Sequence, residues 1–497
     1  MARSRARRGA VKTERHPRWP LAVAGALFVL SRLYLLFVFR PGGSDVHLYA
    51  TYAMERELAA EDGQTLYQHH SELYRETLEH ARLVHIDPPP PGSAIIEYPP
   101  LAMGIVLLPT LFIADTNDFE RFEREYTSIF RLMLALCDGI VFVLIWRLMS
   151  RLFPTEAPWE RALRLGLYGV ASLVLAAVLY DRLDMILSMS LVVALYLLLT
   201  RRRPGWFLAG LAFAIDLKLI PLLLAPLLLV STIDVRGLPA GDVRTRAVAL
   251  GRQLALRGAG LLLLVGLLLA PFYAAWGRAC LDFLRFHGAR GIQIESTYAS
   301  MLLVLGSFGL PTLLVPEFGA ADILSPLSHM LARLSAILVL VIAVGGAIVL
   351  LRRVWFVLAG GGRGSLAKQA PDTVMLCALA ALLAALVTSK VLSPQYVVWV
   401  VPFVALAPLA RRPRHALFVA FIAMCGLTTA IFPCLYVHHV LGIVPNPITG
   451  GIKYTHADTI GKLVLVARNL LLVAIAVWIG RRALAVGDPP EGSTERV

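Results

Sequence analysis

WPLAVAGALFVLSRLYLLFVF occupies residues 19–39. An apolar run of about 20 residues is what an α-helix needs to cross the hydrocarbon core of a bilayer. Arg3, Arg5, Arg7, Arg8, Lys12, Arg15 and Arg18 precede it. Cations collect on cytoplasmic loops, so these predict a cytoplasmic N-terminus and a first helix running outward. The run has no clear small-residue cleavage site, which makes it a retained anchor and not a removed signal. Arg32 stands inside it. A cation there must either snorkel to the interface or pair inside a protein interior, and both readings remain open at this stage.

The same pattern recurs along the chain. Of the 497 residues, 58% are hydrophobic, the mean hydropathy is +0.70, and the apolar runs are bounded by charges. This predicts an all-α polytopic membrane protein. The net charge of +14 does not signal nucleic acid, because the basic residues fall in short clusters between apolar runs, the pattern that sets topology. The five cysteines, Cys137, Cys280, Cys377, Cys425 and Cys434, lie mostly inside apolar runs without paired ligand spacing. Neither a zinc site nor a disulfide framework is expected.

Spans assigned by apolar length and oriented by the arginine clusters give about twelve crossings, with both termini cytoplasmic. Residues 98–113 are short for a crossing. Treated as a helix on or in the outer leaflet, they leave the acidic stretch 115–125 outside and place Arg147, Arg151, Arg161 and Arg164 inside. Further spans are expected at 126–149, 162–180, 185–200, 258–276, 330–351, 373–389, 415–436 and 460–480, with another returning toward Arg411. The run 206–231 carries Asp216 and Lys218 near its middle. One helix would hold both charges at the bilayer centre, at roughly 2.5–3.5 kcal/mol each. Two short spans with Lys218 at an outer turn, the second opening near Pro221, avoid that cost. Residues 299–315, interrupted by Gly306, Gly309 and Pro311, are expected not to cross. The chain then divides into a basic cytoplasmic tail, 1–18, a membrane domain, 19–485, and a polar disordered tail, 486–497. The first outer loop, 40–125, is expected to hold juxtamembrane helices.

On this map separate stretches bring polar residues to one face. The first loop opens Ser44-Asp45-Val46-His47-Leu48-Tyr49 and closes Glu97-Tyr98-Pro99-Pro100-Leu101. Arg182 and Asp184 form the next outer turn. Lys218 forms another, Arg290, Gln293 and Glu295 lie in a fourth, and Gln395 and Tyr396 in a fifth. Taken singly, each has a plainer reading: Asp45 as a solvated loop residue, Lys218 as a snorkelling cation, Arg182 with Asp184 as a topology-setting ion pair. Taken together, they suit an enzyme working on lipid-borne material. A phosphate leaving a lipid carrier develops negative charge that fixed cations such as Lys218, Arg182 or Arg290 stabilise, and a hydroxyl acceptor needs a base, for which Asp45 is the natural candidate. The alternative is a transporter or flippase of lipid-linked glycans, which would more typically place ionisable groups along a midplane path. The outer histidines, His47, His69, His70, His80, His85, His287, His438, His439 and His456, show no metal-ligand spacing.

These stretches, with Arg182-Leu183-Asp184, the Gly210 to Pro221 segment containing Lys218, and Leu392-Ser393-Pro394-Gln395-Tyr396 followed by Trp399 and Pro402, resemble the GT-C superfamily of polyprenyl-phosphate-sugar-dependent glycosyltransferases. The resemblance is nearest to glycosyltransferase family 87, which includes mannosyltransferases. It implies a GT-C-type bundle with a large first extracytoplasmic loop. It also implies inverting transfer of a sugar, mannose by family, from a polyprenyl-phosphate donor to a lipid or glycan hydroxyl. The site would lie on the outer face of the plasma (inner) membrane. Asp45 would be the general base, and Lys218, Arg182 and Arg290 would hold the donor phosphate. His47, Tyr49, Tyr98, Asp184, Gln293, Glu295, Gln395 and Tyr396 would position substrate. Many members carry two adjacent acids in the first loop. Here Asp45 is followed by Val46, so a metal-bridging pair is not supported, and neither metal nor cofactor is expected. The insertion 55–91 matches nothing in the family pattern and is the candidate to shape the acceptor site.

Overall fold

A backbone in an apolar medium must satisfy its own hydrogen bonds, and helices do so segment by segment. In the computed structural model the described residues are 19–40, 45–83, 94–114, 118–200, 204–238, 242–317, 319–359, 364–445 and 452–487, and helices dominate them. The basic tail 1–18, Ser44, His85, the proline run 88–91, residues 115–117 and the last ten residues lie outside that set. Among the described residues seven helices are long and apolar enough to cross a membrane: Trp19–Phe37, Phe119–Leu152, Val243–Ala289, Ser328–Phe356, Pro371–Thr388, Arg411–Val440 and Thr459–Ala485. Shorter helices at Pro158–Val174, Asp184–Thr200, Pro204–Leu217, Ile220–Ser231 and Val397–Ala405 complete the set expected from the sequence. This is a polytopic helical membrane protein. Its final helix, Thr459–Gly487, continues past the tail boundary expected at residue 486.

The run 206–231 does break, after Leu217, and resumes at Ile220. The two halves form a reversal. Leu208, near the start of the first, lies beside Gly260, while Asp234, just past the end of the second, accepts a hydrogen bond from Gln253 Nε2 at 3.2 Å. Both partners belong to Val243–Trp276, so both far ends point away from Lys218. Residues 98–113 form a seven-residue helix, Pro100–Val106, and a short 3-10 turn, Leu108–Phe112. Seven residues rise about 10 Å, a third of the hydrocarbon thickness. Pro100 stands at its first turn, where a missing N–H costs nothing.

Helices Val243–Trp276 and Ser328–Ala359 leave most of their apolar surface uncovered, while Pro371–Thr388 and Val397–Ala405 are buried. The first pair forms a lipid-facing rim and the second a packed centre. Buried charges are paired there. Arg32 Nε donates to Asp138 Oδ2 at 2.8 Å and lies 4.1 Å from the Phe28 ring centroid, so it pairs inside the bundle and does not snorkel. Asp138 also accepts from Tyr180 at 2.7 Å. At the other end, Arg164 Nη1 donates to the Ala405 and Ala407 carbonyls, 2.9 Å each, satisfying the C-terminus of the nine-residue helix Val397–Ala405. Glu156 joins Arg164 to Arg414, which also pairs with Glu160.

One feature was not read from the sequence. The segment expected to be wholly α contains two antiparallel hairpins, Leu313–Glu317 with Ala320–Leu324 and Ile443–Pro445 with Ile452–Tyr454. The first accepts Gln293 as a further edge through a bridge to Asp322. The first loop holds helices, as expected: Val46–Glu61 and Leu66–Leu83 pack on each other, the second inside the 55–91 insertion.

Candidate active site

Five separated stretches meet at one end of the bundle around a cavity of about 380 Å³. Asp45 reaches it from the N-cap position of Val46–Glu61, and its own carbonyl accepts the Tyr49 amide at 3.0 Å, so the helix fixes the carboxylate beside the cavity. Arg182, from the turn before Asp184–Thr200, pairs with Asp45 and faces the Phe432 ring, 5.6 Å from its centroid. The plainer reading of Arg182 and Asp184 as each other's ion-pair partners is not what forms. Asp184 instead accepts Lys218 Nζ at 2.8 Å and Trp399 Nε1 at 2.7 Å on the same oxygen. Lys218 also lies 4.7 Å from the Tyr396 ring centroid and 5.0 Å from that of Trp399, and those two rings stack. A buried carboxylate and two aromatic faces thus hold the ammonium in place.

The opposite wall is built on the small sheet. Ile294 N donates to Ala321 O at 2.9 Å, Ile323 N to Ile292 O at 2.8 Å, and Gln293 N to Lys390 O at 3.0 Å. Gln293 Oε1 accepts the Leu392 amide at 2.9 Å, and its Nε2 donates to Glu295 Oε2 at 3.0 Å and Ser393 Oγ at 3.2 Å. This ties the 290–296 stretch to the Ser393-Pro394-Gln395 turn. Gly291 is required by close approach: its amide donates to Asp322 Oδ2, and a Cβ would sit 2.8 Å from that oxygen. Burial pushes the Glu295 carboxyl up to about 7, against the pull of Arg468, Arg182 and Arg290. Arg468 Nη2 and Asn469 Nδ2 donate to the Glu295 carbonyl at 2.7 and 3.2 Å. Tyr49 and Tyr98 share a hydroxyl–hydroxyl hydrogen bond of 3.2 Å, and burial raises both phenols well above their ordinary value.

Of the residues singled out from the sequence, Asp45, Lys218, Arg182, Arg290, Tyr49, Tyr98, Asp184, Gln293, Glu295, Gln395 and Tyr396 all line this cavity. His47 does not. It sits on the outer side of its helix, mostly exposed, with Nδ1 2.8 Å from Glu123 Oε1. Since Asp45 and Tyr49 face the cavity one helical turn apart, a residue two positions after Asp45 is carried to another side of the helix. The sequence reading missed Glu97, His70, His287, Phe432 and Tyr436 as lining residues. Glu97 immediately precedes Tyr98-Pro99 and was open to discovery. Phe432 and Tyr436 arrive through a kink at Phe432, φ −121°, ψ 120°, the extended backbone that a residue before proline adopts, here ahead of Pro433. Among the described residues no group of three or more His, Cys, Asp or Glu is placed to hold a metal ion.

Fold and site together define a polytopic helical membrane protein with a carboxylate-and-cation cavity at one end of its bundle. The sequence matches no protein-family model and no curated protein. Among solved structures the chain is similar to ArnT from Cupriavidus metallidurans bound to undecaprenyl phosphate, at 19% identity over 94% of this chain and 74% of that one, with a TM-score of 0.41. The apo form of the same protein is similar at 18% identity, with the same coverage and a TM-score of 0.39. The arabinosyltransferase EmbB from Mycobacterium smegmatis is similar at 14% identity over 97% of this chain and 42% of that one, with a TM-score of 0.33. Likeness of this degree carries no information about substrate.

Proposed function

We propose that this chain is a membrane glycosyltransferase of the GT-C type that takes a sugar from a polyprenyl-phosphate donor and passes it to a lipid or glycan hydroxyl. The observation that carries this reading is the convergence of Asp45, Arg182, Lys218 and Arg290 on one cavity from four distant stretches of chain. Asp45 takes the proton of the acceptor hydroxyl as its oxygen bonds to the anomeric carbon. The bond from that carbon to the phosphate oxygen breaks, and the electron pair leaves on the carrier phosphate, where Arg182, Lys218 and Arg290 stabilise it. Attack opposite the departing phosphate inverts the anomeric centre. One base and fixed cations suffice, because phosphate is already a good leaving group.

Asp184 and Trp399 act through Lys218 by fixing its position. Tyr49, Tyr98, Gln293, Glu295, Gln395 and Tyr396 are assigned to positioning substrate, and His47 to the helix that presents Asp45. The basic clusters between spans support a cytoplasmic N-terminus and a cavity on the outer face of the cell membrane. Mannose is the sugar that the family 87 resemblance favours.

The test is transfer of radiolabel by purified protein from a panel of polyprenyl-phosphate sugars, mannose, arabinose and glucose among them, to membrane lipid extract. Labelled product from one member is expected, and from mannose first. No transfer from any donor, together with movement of lipid-linked glycan across proteoliposomes, would replace the reading with transport.

A further inference from the structure

The closing helix Thr459–Gly487 carries one charged side chain between Lys462 and Arg481, that of Arg468. Near the bilayer centre a cation costs about 2.5–3.5 kcal/mol, so its presence in a span calls for a partner and a role. Arg468 is 1% exposed and does not line the large cavity. It approaches the Gln293–Glu295 wall from behind. Its Nη2 donates to the Glu295 carbonyl at 2.7 Å. Asn469 Nδ2, next along the helix, reaches the Glu295 and Ser296 carbonyls at 3.2 and 3.1 Å and Ser300 Oγ at 2.7 Å. The helix therefore clamps the Glu295-Ser296 turn by its backbone, while Gln293 Nε2 pins the side-chain oxygen Oε2. Glu295 Oε1 is buried and has no hydrogen-bond partner among the described residues, and the same holds for Arg468 Nε and Nη1. An unmatched carboxyl oxygen on a cavity wall is placed to meet a ligand.

Three cations face this carboxyl: Arg468 from the closing helix, Arg182 from the turn before Asp184–Thr200, and Arg290 from its own stretch. Arg182 in turn is faced by Asp45, Asp184, Tyr396 and Tyr436. Arg182 and Arg290 are also the cations assigned to the donor phosphate. An ionised Glu295 competes with that phosphate for them, and a neutral Glu295 does not. We propose that Arg468 is a positioning residue of the donor site: it fixes Glu295 beside the phosphate cations, and Glu295 takes up one proton when the phosphate binds. The proposal rests on the glycosyltransferase reading above. Burial favours the neutral carboxyl and the charge of Arg468 opposes it, which leaves the group titrating at about 7. The phosphate binds the protonated form. Its affinity is therefore full below pH ~7 and falls above it by up to about tenfold per pH unit, the slope for one proton taken up. Without Arg468 the carboxyl stays neutral to higher pH.

The experiment measures binding of undecaprenyl methyl phosphate to the full chain in nanodiscs of neutral lipid, across the neutral pH range. This diester lacks the second proton, of pKa about 6, that a phosphate monoester titrates, so a pH limb belongs to the protein. Wild-type affinity should fall above pH ~7, and Glu295→Gln should bind without that limb. Arg468→Gln should move the limb upward by on the order of one pH unit, the low end of a neighbouring charge's effect on a carboxyl. Arg468→Lys, which keeps the charge and a donor, should return it to near its wild-type place. A merely structural clamp would lower affinity alike at every pH and leave the limb where it is. That result, a wild-type affinity independent of pH, or no binding of the diester overturns the proposal. Should Arg468→Gln fail to fold, the wild-type and Glu295→Gln profiles still test the proton uptake. Transfer of radiolabel from donor to lipid extract by the wild-type chain, measured separately, shows whether the glycosyltransferase reading stands when the proposal falls.

Discussion

Asp45→Asn separates two roles that the structure gives to one carboxylate. The substitution keeps the size and planarity of the side chain, removes its basicity, and deprives Arg182 of its counter-ion. The two side chains are 23% and 16% exposed, so their attraction lies between two limits. Two unit charges 4 Å apart at an effective dielectric of 20 attract by about 4 kcal/mol, while exposed ion pairs contribute about 0.2–1 kcal/mol. A value of about 1–3 kcal/mol is the reasonable middle. Once released, Arg182 is free for the donor phosphate, and donor affinity should tighten by about 5- to 100-fold. Chemistry should move the other way. Loss of a positioned base costs about 10²- to 10⁴-fold in rate, or about 2.7–5.4 kcal/mol of barrier. Equilibrium binding of labelled undecaprenyl phosphate and single-turnover transfer measure the two effects separately. A variant that transfers sugar at the wild-type rate removes Asp45 from the chemistry. A variant that binds donor no more tightly than the parent refutes the release of Arg182 to the donor phosphate.

Lys218→Ala should weaken donor binding about 10- to 100-fold, the scale of a charge-assisted contact of about 1.5–3 kcal/mol; unchanged donor kinetics would leave Lys218 as the structural partner of Asp184. Glu295 titrates near 4.5 when unfolded and about 7 in place, so the folded state holds the extra proton between those values. Its contribution is fully present below pH ~4.5 and is lost as pH rises toward ~7, by on the order of 3 kcal/mol. Thermal melts of Glu295→Gln should therefore lose that decline, and identical pH profiles for the two proteins would refute it. Glu120→Cys and Arg151→Cys, in a background with Cys434 replaced by Ser, mark exposed positions toward the two ends of Phe119–Leu152. An impermeant thiol reagent should label the first from outside and the second only from inside, and the reverse pattern inverts the assigned sidedness. Arg164→Ala strips Glu156 of a partner and the Ala405 and Ala407 carbonyls of their donors. It should destabilise by about 3–5 kcal/mol, read as early detergent melting with loss of folded yield.

What was legible in the sequence was whatever solvent imposes locally. An apolar run of fixed length becomes a helix in lipid regardless of its neighbours, and a charge in such a run must be turned out or paired. That is why the break at Lys218 could be read from Asp216 and Lys218 alone. Composition also brought Asp45, Arg182, Lys218 and Arg290 to one expected face. What composition did not disclose was which charge meets which. Arg182, whose plainer reading paired it with Asp184 two residues on, meets Asp45, while Asp184 holds Lys218 and Trp399. Arg32 pairs with Asp138, more than a hundred residues away. Each of these pairings depends on how long helices cross, a property of side-chain shape summed over the whole bundle. A second cavity beside the site depends on it further, because residues of the Leu66–Leu83 helix line it together with Ala279 and Asp282 from a distant segment. The sequence by itself determined the medium, the helices and the face on which the polar residues gather. The ion pairs, the small sheet that presents Gln293 and Glu295, and the second cavity were decided only by tertiary packing, since contacts between distant segments have no local signature.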